Sequence, residues 1–314
     1  MNEHIEWRGL VYAAIAVKDV PLAASVLERE LGFYRREVRL ESETFPLLSV
    51  GESAVVLFPV GHPFVEEADT ARVHHLALEA WDPEAAVKEL AEAGFPVALE
   101  PALGLDGTRR WRIDSEATCG VRLCINEPLD YVHGAPRFVE HIDHFGVANT
   151  DNEAALDIFR DRMGLPLESY ERVVESTIAV ETLTSNKYGD MQISRPPVIV
   201  GGLRAEMFTI GDCELEVFEE LGPQYDPDVH HGQPGSTAQD GGVIARFLRR
   251  NGPGLHHMAL KVTDIAAAID SLQTAGVRMI DPVGRPGARH SMIAFPHPSG
   301  LGGMLVHLVE RQAL

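Results

Sequence analysis

The chain has 314 residues, is 45% hydrophobic, and carries 27 lysines and arginines against 47 aspartates and glutamates, a formal net charge of −20. That balance argues against nucleic acid and anionic membranes as partners, and no run of 18 apolar residues offers a membrane span. Cys119, Cys124 and Cys213 are odd in number and form no CxxC pair; with an acidic N-terminus lacking a continuous apolar stretch, they point to the reducing cytoplasm.

Taken in chain order, the elements repeat. A short apolar strand beginning near Leu10 leads to Asp19 and an Ala/Leu-rich run ending at Gly32, in YAAIAVKDVPLAASVLERELGF. The pattern returns near Val73 in HHLALEAWDPEAAVKELAEAGF, near Ile142 in HFGVANTDNEAALDIFRDRMGL and near Leu255 in HHMALKVTDIAAAIDSLQTAGV. Each aspartate falls at a helix N-cap, where its carboxylate accepts otherwise unpaired amide protons. Gly32, Gly94, Gly164 and Gly276 take the helix-ending position that wants a left-handed residue. About three strand-like runs follow each helix, among them GESAVVLFPV, GVRLCINEP, AEMFTI and CELEVFEE.

The chain is therefore read as four βαβββ units in two tandem pairs, an α+β fold. One domain is expected at residues 1–130 and the other at 140–314, with PLDYVHGAP as the linker. Extra chain in the third unit, residues 184–202 and 222–242, is rich in Gly, Pro and Asp and reads as two loops beside a site.

The motifs DHFGVAN, GLHHMALKVTDI and the closing HPSGLGGMLVHLVE resemble those of the vicinal oxygen chelate superfamily, which includes glyoxalase I, methylmalonyl-CoA epimerase, extradiol dioxygenases and fosfomycin resistance proteins. The general pattern spans nearly the whole chain; the specific similarity is to the epimerase branch and lies in residues 142–310. The resemblance implies two cup-shaped mixed sheets flanked by helices, with a divalent metal held by inward-facing residues from four strands.

Carried over position by position, the metal ligands are His144, Glu216, His257 and His307. His307 departs from the pattern, because epimerases have Glu where this chain reads LVHLVE. An isolated strand histidine is more often a core residue bonded to backbone, but three ligand types at matching positions turn the reading toward metal. Three imidazoles and one carboxylate suit Zn, Co, Ni, Fe or Mn, one ion per chain, over Mg or Ca. The same register in the first pair gives Tyr12, Val56, His75 and Cys124, a degenerate copy kept for packing. Strand alternation puts His141 and His256 on the opposite face, and His230 and His231 sit in an inserted loop.

By the same resemblance, the expected activity is that of a metal-dependent isomerase or epimerase, acting at the carbon alpha to a carbonyl through a metal-stabilised enolate. Glu181 in AVETLTS is the expected base and His297 a candidate second acid, with Ser185, Asn186 and Lys187 near the substrate. The alternative is an Fe(II)-dependent extradiol-type ring-cleaving dioxygenase, whose last strand normally carries Glu rather than His. The expected partner is a small carbonyl compound, with acyl-CoA thioesters among the candidates and a homo-oligomer left open.

Overall fold

The structure, a computed structural model, describes residues 5–66, 68–135, 137–221 and 237–311. The first sheet contains β1 (Trp7–Val17), β2 (Tyr34–Leu40), β3 (Glu43–Val50), β4 (Ser53–Pro59), β5 (Arg72–Ala80), β6 (Ala102–Leu103), β7 (Arg109–Ile113) and β8 (Leu123–Asn126). Its spatial order is β2-β3-β4-β1-β5-β8-β7-β6. Chain order continues with β9 (Val139–Asn149), β10 (Leu167–Thr177), β11 (Val180–Ser185), β12 (Gly189–Ser194), β13 (Val198–Ile210) and β14 (Cys213–Glu220). Then come β15 (Gly254–Val262), β16 (Arg285–Gly287), β17 (Ser291–Ala294) and β18 (Val306–Arg311). The second sheet, β10-β13-β14-β9-β15-β18-β17-β16, repeats the topology of the first, and β11 and β12 pair as a separate two-stranded sheet. These are the two tandem βαβββ pairs expected from the repeats.

Helices α1 (Val20–Ser25), α2 (Pro83–Glu92), α3 (Asn152–Ala155), α4 (Thr237–Asn251) and α5 (Ile265–Thr274) complete the fold. The repeat aspartates cap four of them. Asp19 accepts from the Leu22 amide at 2.9 Å, Asp82 from Ala85 at 3.0 Å, Asp151 from Ala154 at 3.0 Å and Asp264 from Ala267 at 2.9 Å. Each such cap is worth about 1 kcal/mol. The four repeat glycines all have φ between +73° and +85°, as a left-handed helix end requires.

Strand alternation divides each sheet into two environments. Outward residues such as Phe145, Val147, Leu215, Met258, Val306 and Leu308 join a helix-side core that continues through both modules. In the first cup, Tyr12, Val56 and Cys124 are buried beneath Phe64, Val65 and Leu105, so apolar side chains fill it. In the second cup, Ile244 of α4 packs on Ala148, Ala205 and Phe218.

The modules meet closely. A Cβ built on Gly9 would lie 3.2 Å from Cα of Gly211, and the Asp212 carboxylate accepts from the Glu52 amide and the Ser53 hydroxyl, both at 2.6 Å.

Residues 184–202 differ from expectation. They complete the β11–β12 hairpin and start β13, turning at Gly189 with φ +74°. The alternating VETLTS and GDMQIS segments are strand signals that the surrounding Gly and Pro content obscured. Of the second expected loop, 222–236 lie outside the described residues, and the chain from Thr237 onward is α4.

Candidate metal centre

Two of the three register shifts between β9 and β15 shape the centre. His257 pairs with Gly146 and Leu255 with Val147, which leaves His256 as an extra residue; His144 pairs with Ala259 and Ile142 with Leu260, which leaves Asp143 as another. A bulge re-aims side chains that regular alternation would send to opposite faces. Asp143 Oδ2 consequently lies 2.8 Å from Nδ1 of its sequence neighbour His144. His256, expected on the opposite face, has its Nδ1 3.0 Å from Nδ1 of His257, because the bulge cancels the alternation that the sequence implied.

Four strands bring the expected donors together. His144 on β9, His257 on β15 and His307 on β18 are buried, and their ring nitrogens offer donor atoms within 4.8 Å of one another. Glu216 on β14 places Oε2 3.1 Å from His144 Nε2 and 3.8 Å from His257 Nε2, and the two Nε2 atoms are 3.3 Å apart. Gly146 makes the approach feasible, since a Cβ there would lie 2.1 Å from Cε1 of His257. Phe218 stacks on the His257 ring at a centroid distance of 5.7 Å, and Phe295 meets His307 edge-on at 4.8 Å.

Charge follows this geometry. Burial opposes protonation of His144, but the Glu216 carboxylate and Asp143 outweigh it and raise its pKa to about 9. Burial likewise opposes ionisation of Glu216, yet the His144 charge holds it down at about 2. His257 and His307 are driven well below the ordinary imidazole value, first by burial and then by neighbouring imidazoles, so both stay neutral. Glu216, His257 and His307 therefore already hold the forms that bind metal, whereas His144 has to give up its proton at Nε2 when an ion enters.

The donor set fits a transition-metal ion. Tetrahedral bonds of roughly 2.1 Å place donor atoms about 3.4 Å apart, which is the scale of the 3.1, 3.3 and 3.8 Å separations here. Both ring nitrogens of His307 are buried with no hydrogen-bond partner among the described residues. A buried polar atom left in that state is costly, and metal coordination satisfies one of the two. The equivalent first-cup residues do not assemble a set: Cys124 Sγ contacts the Leu76 carbonyl, Tyr12 faces Asn126, and His75 Nδ1 lies 2.8 Å from His74.

The other expected residues make contacts of their own. Glu181 sits on exposed β11 in an ion pair with Arg195, and its β11–β12 sheet also carries Ser185. Ser185 Oγ accepts from the Lys187 and Tyr188 amides. His297 caps the short Pro298–Leu301 turn, with Nδ1 3.2 Å from the Ser299 amide and 2.7 Å from its hydroxyl. His230 and His231 lie outside the described residues. His141 lines a polar cavity of about 240 Å³ with Asp143, Glu214, Lys261, Arg289 and Arg311. Asp143 and Arg311 were absent from the sequence-based set. The DH pair in DHFGVAN was the visible signal for Asp143, hidden by the assumption of regular alternation.

Among known proteins, the mitochondrial methylmalonyl-CoA epimerase of Dictyostelium discoideum is 40% identical over 73 residues, 23% of this chain and 44% of that protein, so the matched stretch spans less than half of the relative. A human 4-hydroxyphenylpyruvate dioxygenase-like protein is 25% identical over 76% of this chain and 63% of its own length. A mutant 4-hydroxymandelate synthase from Streptomyces coelicolor shares the fold across 99% of this chain and 95% of that one, with a TM-score of 0.59 and 16% identity. Residues 141–303, just over half of the chain, match the family model for the glyoxalase, bleomycin resistance protein and dioxygenase group, and the chain belongs to that superfamily.

Proposed function

We propose that the protein is a metal-dependent isomerase or epimerase acting at the carbon alpha to a carbonyl, with one divalent transition-metal ion in the second module. The observation that carries this reading is the convergence of His144, Glu216, His257 and His307, with both His307 nitrogens lacking a hydrogen-bond partner among the described residues. When bound, the ion supplies Lewis acidity to a substrate oxygen. Phe218 packs on His257 and Phe295 on His307, and apolar neighbours of this kind lower the local dielectric and strengthen the electrostatics of a site.

A carboxylate must take the proton from the carbon. Glu181 is the candidate from the sequence, and its exposed position requires the β11–β12 hairpin to fold toward the cup. Glu171 is a second candidate: it pairs across from Ala205, on the cup side of β10, and its Oε2 accepts from the Arg289 amide. His297 has Nδ1 committed to its turn, leaving Nε2 as the atom able to return a proton. In this reading residues 1–130 form a scaffold domain, 140–314 form the reactive domain, and a small carbonyl compound is the substrate. An acyl-CoA thioester is the first class to test, after the epimerase relative.

A second reading, an Fe(II)-dependent ring-cleaving dioxygenase, draws on the dioxygenase-like relative, whose alignment covers more of the chain than the second module contains. Incubation in heavy water with 2-methyl acyl-CoA thioesters and 2-hydroxy ketones separates the two. Deuterium at the alpha carbon without oxygen uptake supports the isomerase, and loss of that exchange in Glu181→Gln or Glu171→Gln identifies the base. Oxygen consumption with a catechol or hydroquinone after Fe(II) loading would replace the isomerase with the dioxygenase.

A further inference from the structure

The bulge at Asp143 has a counterpart in the first module. There Leu10 pairs with Leu78 and Tyr12 with Ala77, leaving Val11 as the extra residue next to the position equivalent to His144. The backbone device is shared, but the side chain it re-aims is not. In the apolar first cup the bulged residue is the buried Val11; in the second it is the buried Asp143. A buried carboxylate is expensive unless it is paired and hydrogen-bonded, and Asp143 is both. Arg311, on the last strand, sets Nε 3.1 Å from Oδ1 and Nη2 against Oδ2, while Oδ2 also faces His144 Nδ1 at 2.8 Å.

An ionised carboxylate can only accept, so the proton of that contact belongs to His144 Nδ1. The remaining ring nitrogen, Nε2, is then the one that faces Glu216 and His257. We propose that Asp143, locked by Arg311, is a positioning residue that fixes His144 as the Nδ1–H tautomer and aims its Nε2 lone pair at the metal; the inference rests on the metal-centre reading above. Such outer partners hold the ring orientation and raise the basicity of the ligand.

The test measures Zn(II) affinity of the full chain by chelator competition, together with the Co(II) absorption spectrum. Asp143→Ala alone leaves Arg311 without its carboxylate, so the decisive variant is the double replacement Asp143→Ala with Arg311→Met, which removes both charges. The expected result is a loss of affinity of about 10–100-fold and shifted Co(II) bands. Affinity within about twofold of the unmutated chain with an unchanged spectrum would overturn the proposal. A second measurement needs no variant: nitrogen NMR of the Zn-loaded chain should show His144 protonated at Nδ1 and coordinated through Nε2, and the reverse arrangement overturns the inference. Failure of the unmutated chain to bind Zn(II) or Co(II) removes the metal reading and this inference together, whereas intact binding by the double variant removes only this inference.

Discussion

Gly146 lies opposite His257 in the β9–β15 ladder, and its missing side chain is what admits the imidazole: a Cβ would come within 2.1 Å of Cε1 and 2.5 Å of Nδ1. Gly146→Ala should therefore displace His257 from Glu216. Overpacking of this kind costs about 1–3 kcal/mol, and metal affinity should fall at least about tenfold if one ligand is lost. A thermal melt and a metal titration check the two effects separately. Unchanged affinity would show that the ring moves without leaving the donor set.

Metal content should be one ion per chain. His144→Ala and His257→Ala remove donors from the second cup and should abolish stoichiometric binding, while His75→Ala should retain it, because the first cup is packed with Phe64, Val65 and Leu105. Elemental analysis after dialysis reads the count directly. Two ions per chain, or full retention in both second-cup variants, contradicts the assignment.

His307 stands where the resemblance expects Glu. His307→Ala should weaken metal binding, and His307→Glu should restore it with altered activity, since a carboxylate supplies an anionic donor on the same strand. If the alanine variant binds as tightly as the original chain, His307 is a core residue and the ion has three protein ligands.

The first cup should make stability pH-dependent on the acid side. Burial lowers the His74 pKa to about 4 and lowers His75 well below its ordinary value, with His74 and Arg110 adding repulsion at His75. Between about 4 and 6.5 the unfolded chain then binds protons that the folded chain refuses, so stability is complete above about 6.5 and falls as pH drops through that window. Each such histidine contributes a slope of up to about 1.4 kcal/mol per pH unit. Denaturant melts from pH 7 to 4.5 should show a shallower fall in a His74→Gln/His75→Gln double variant; an identical slope would assign the acid lability elsewhere.

Much of this was written in local sequence. The N-capping aspartates and helix-ending glycines act within a few residues, so Asp19, Asp82, Asp151 and Asp264 could be placed from the chain alone. The resemblance, carried over position by position, put His144, Glu216, His257 and His307 at the ligand positions. The failures share a cause in strand pairing. A bulge is a property of two paired strands, so one-strand alternation sent His256 to the wrong face and passed over Asp143. The β11–β12 ribbon was missed because Gly and Pro around it outweighed its alternation, and the exposed placement of Glu181 depends on that ribbon's fold.

The join at Asp212 bears on whether the second half can stand alone. Its carboxylate takes hydrogen bonds from Glu52 and Ser53 of the first module and lies at the start of the strand that carries Glu216. The first module, whose cup is filled by apolar side chains, thus anchors the strand that supplies the second module's carboxylate. Deleting the first module would therefore release the end of a strand on which the candidate metal centre depends.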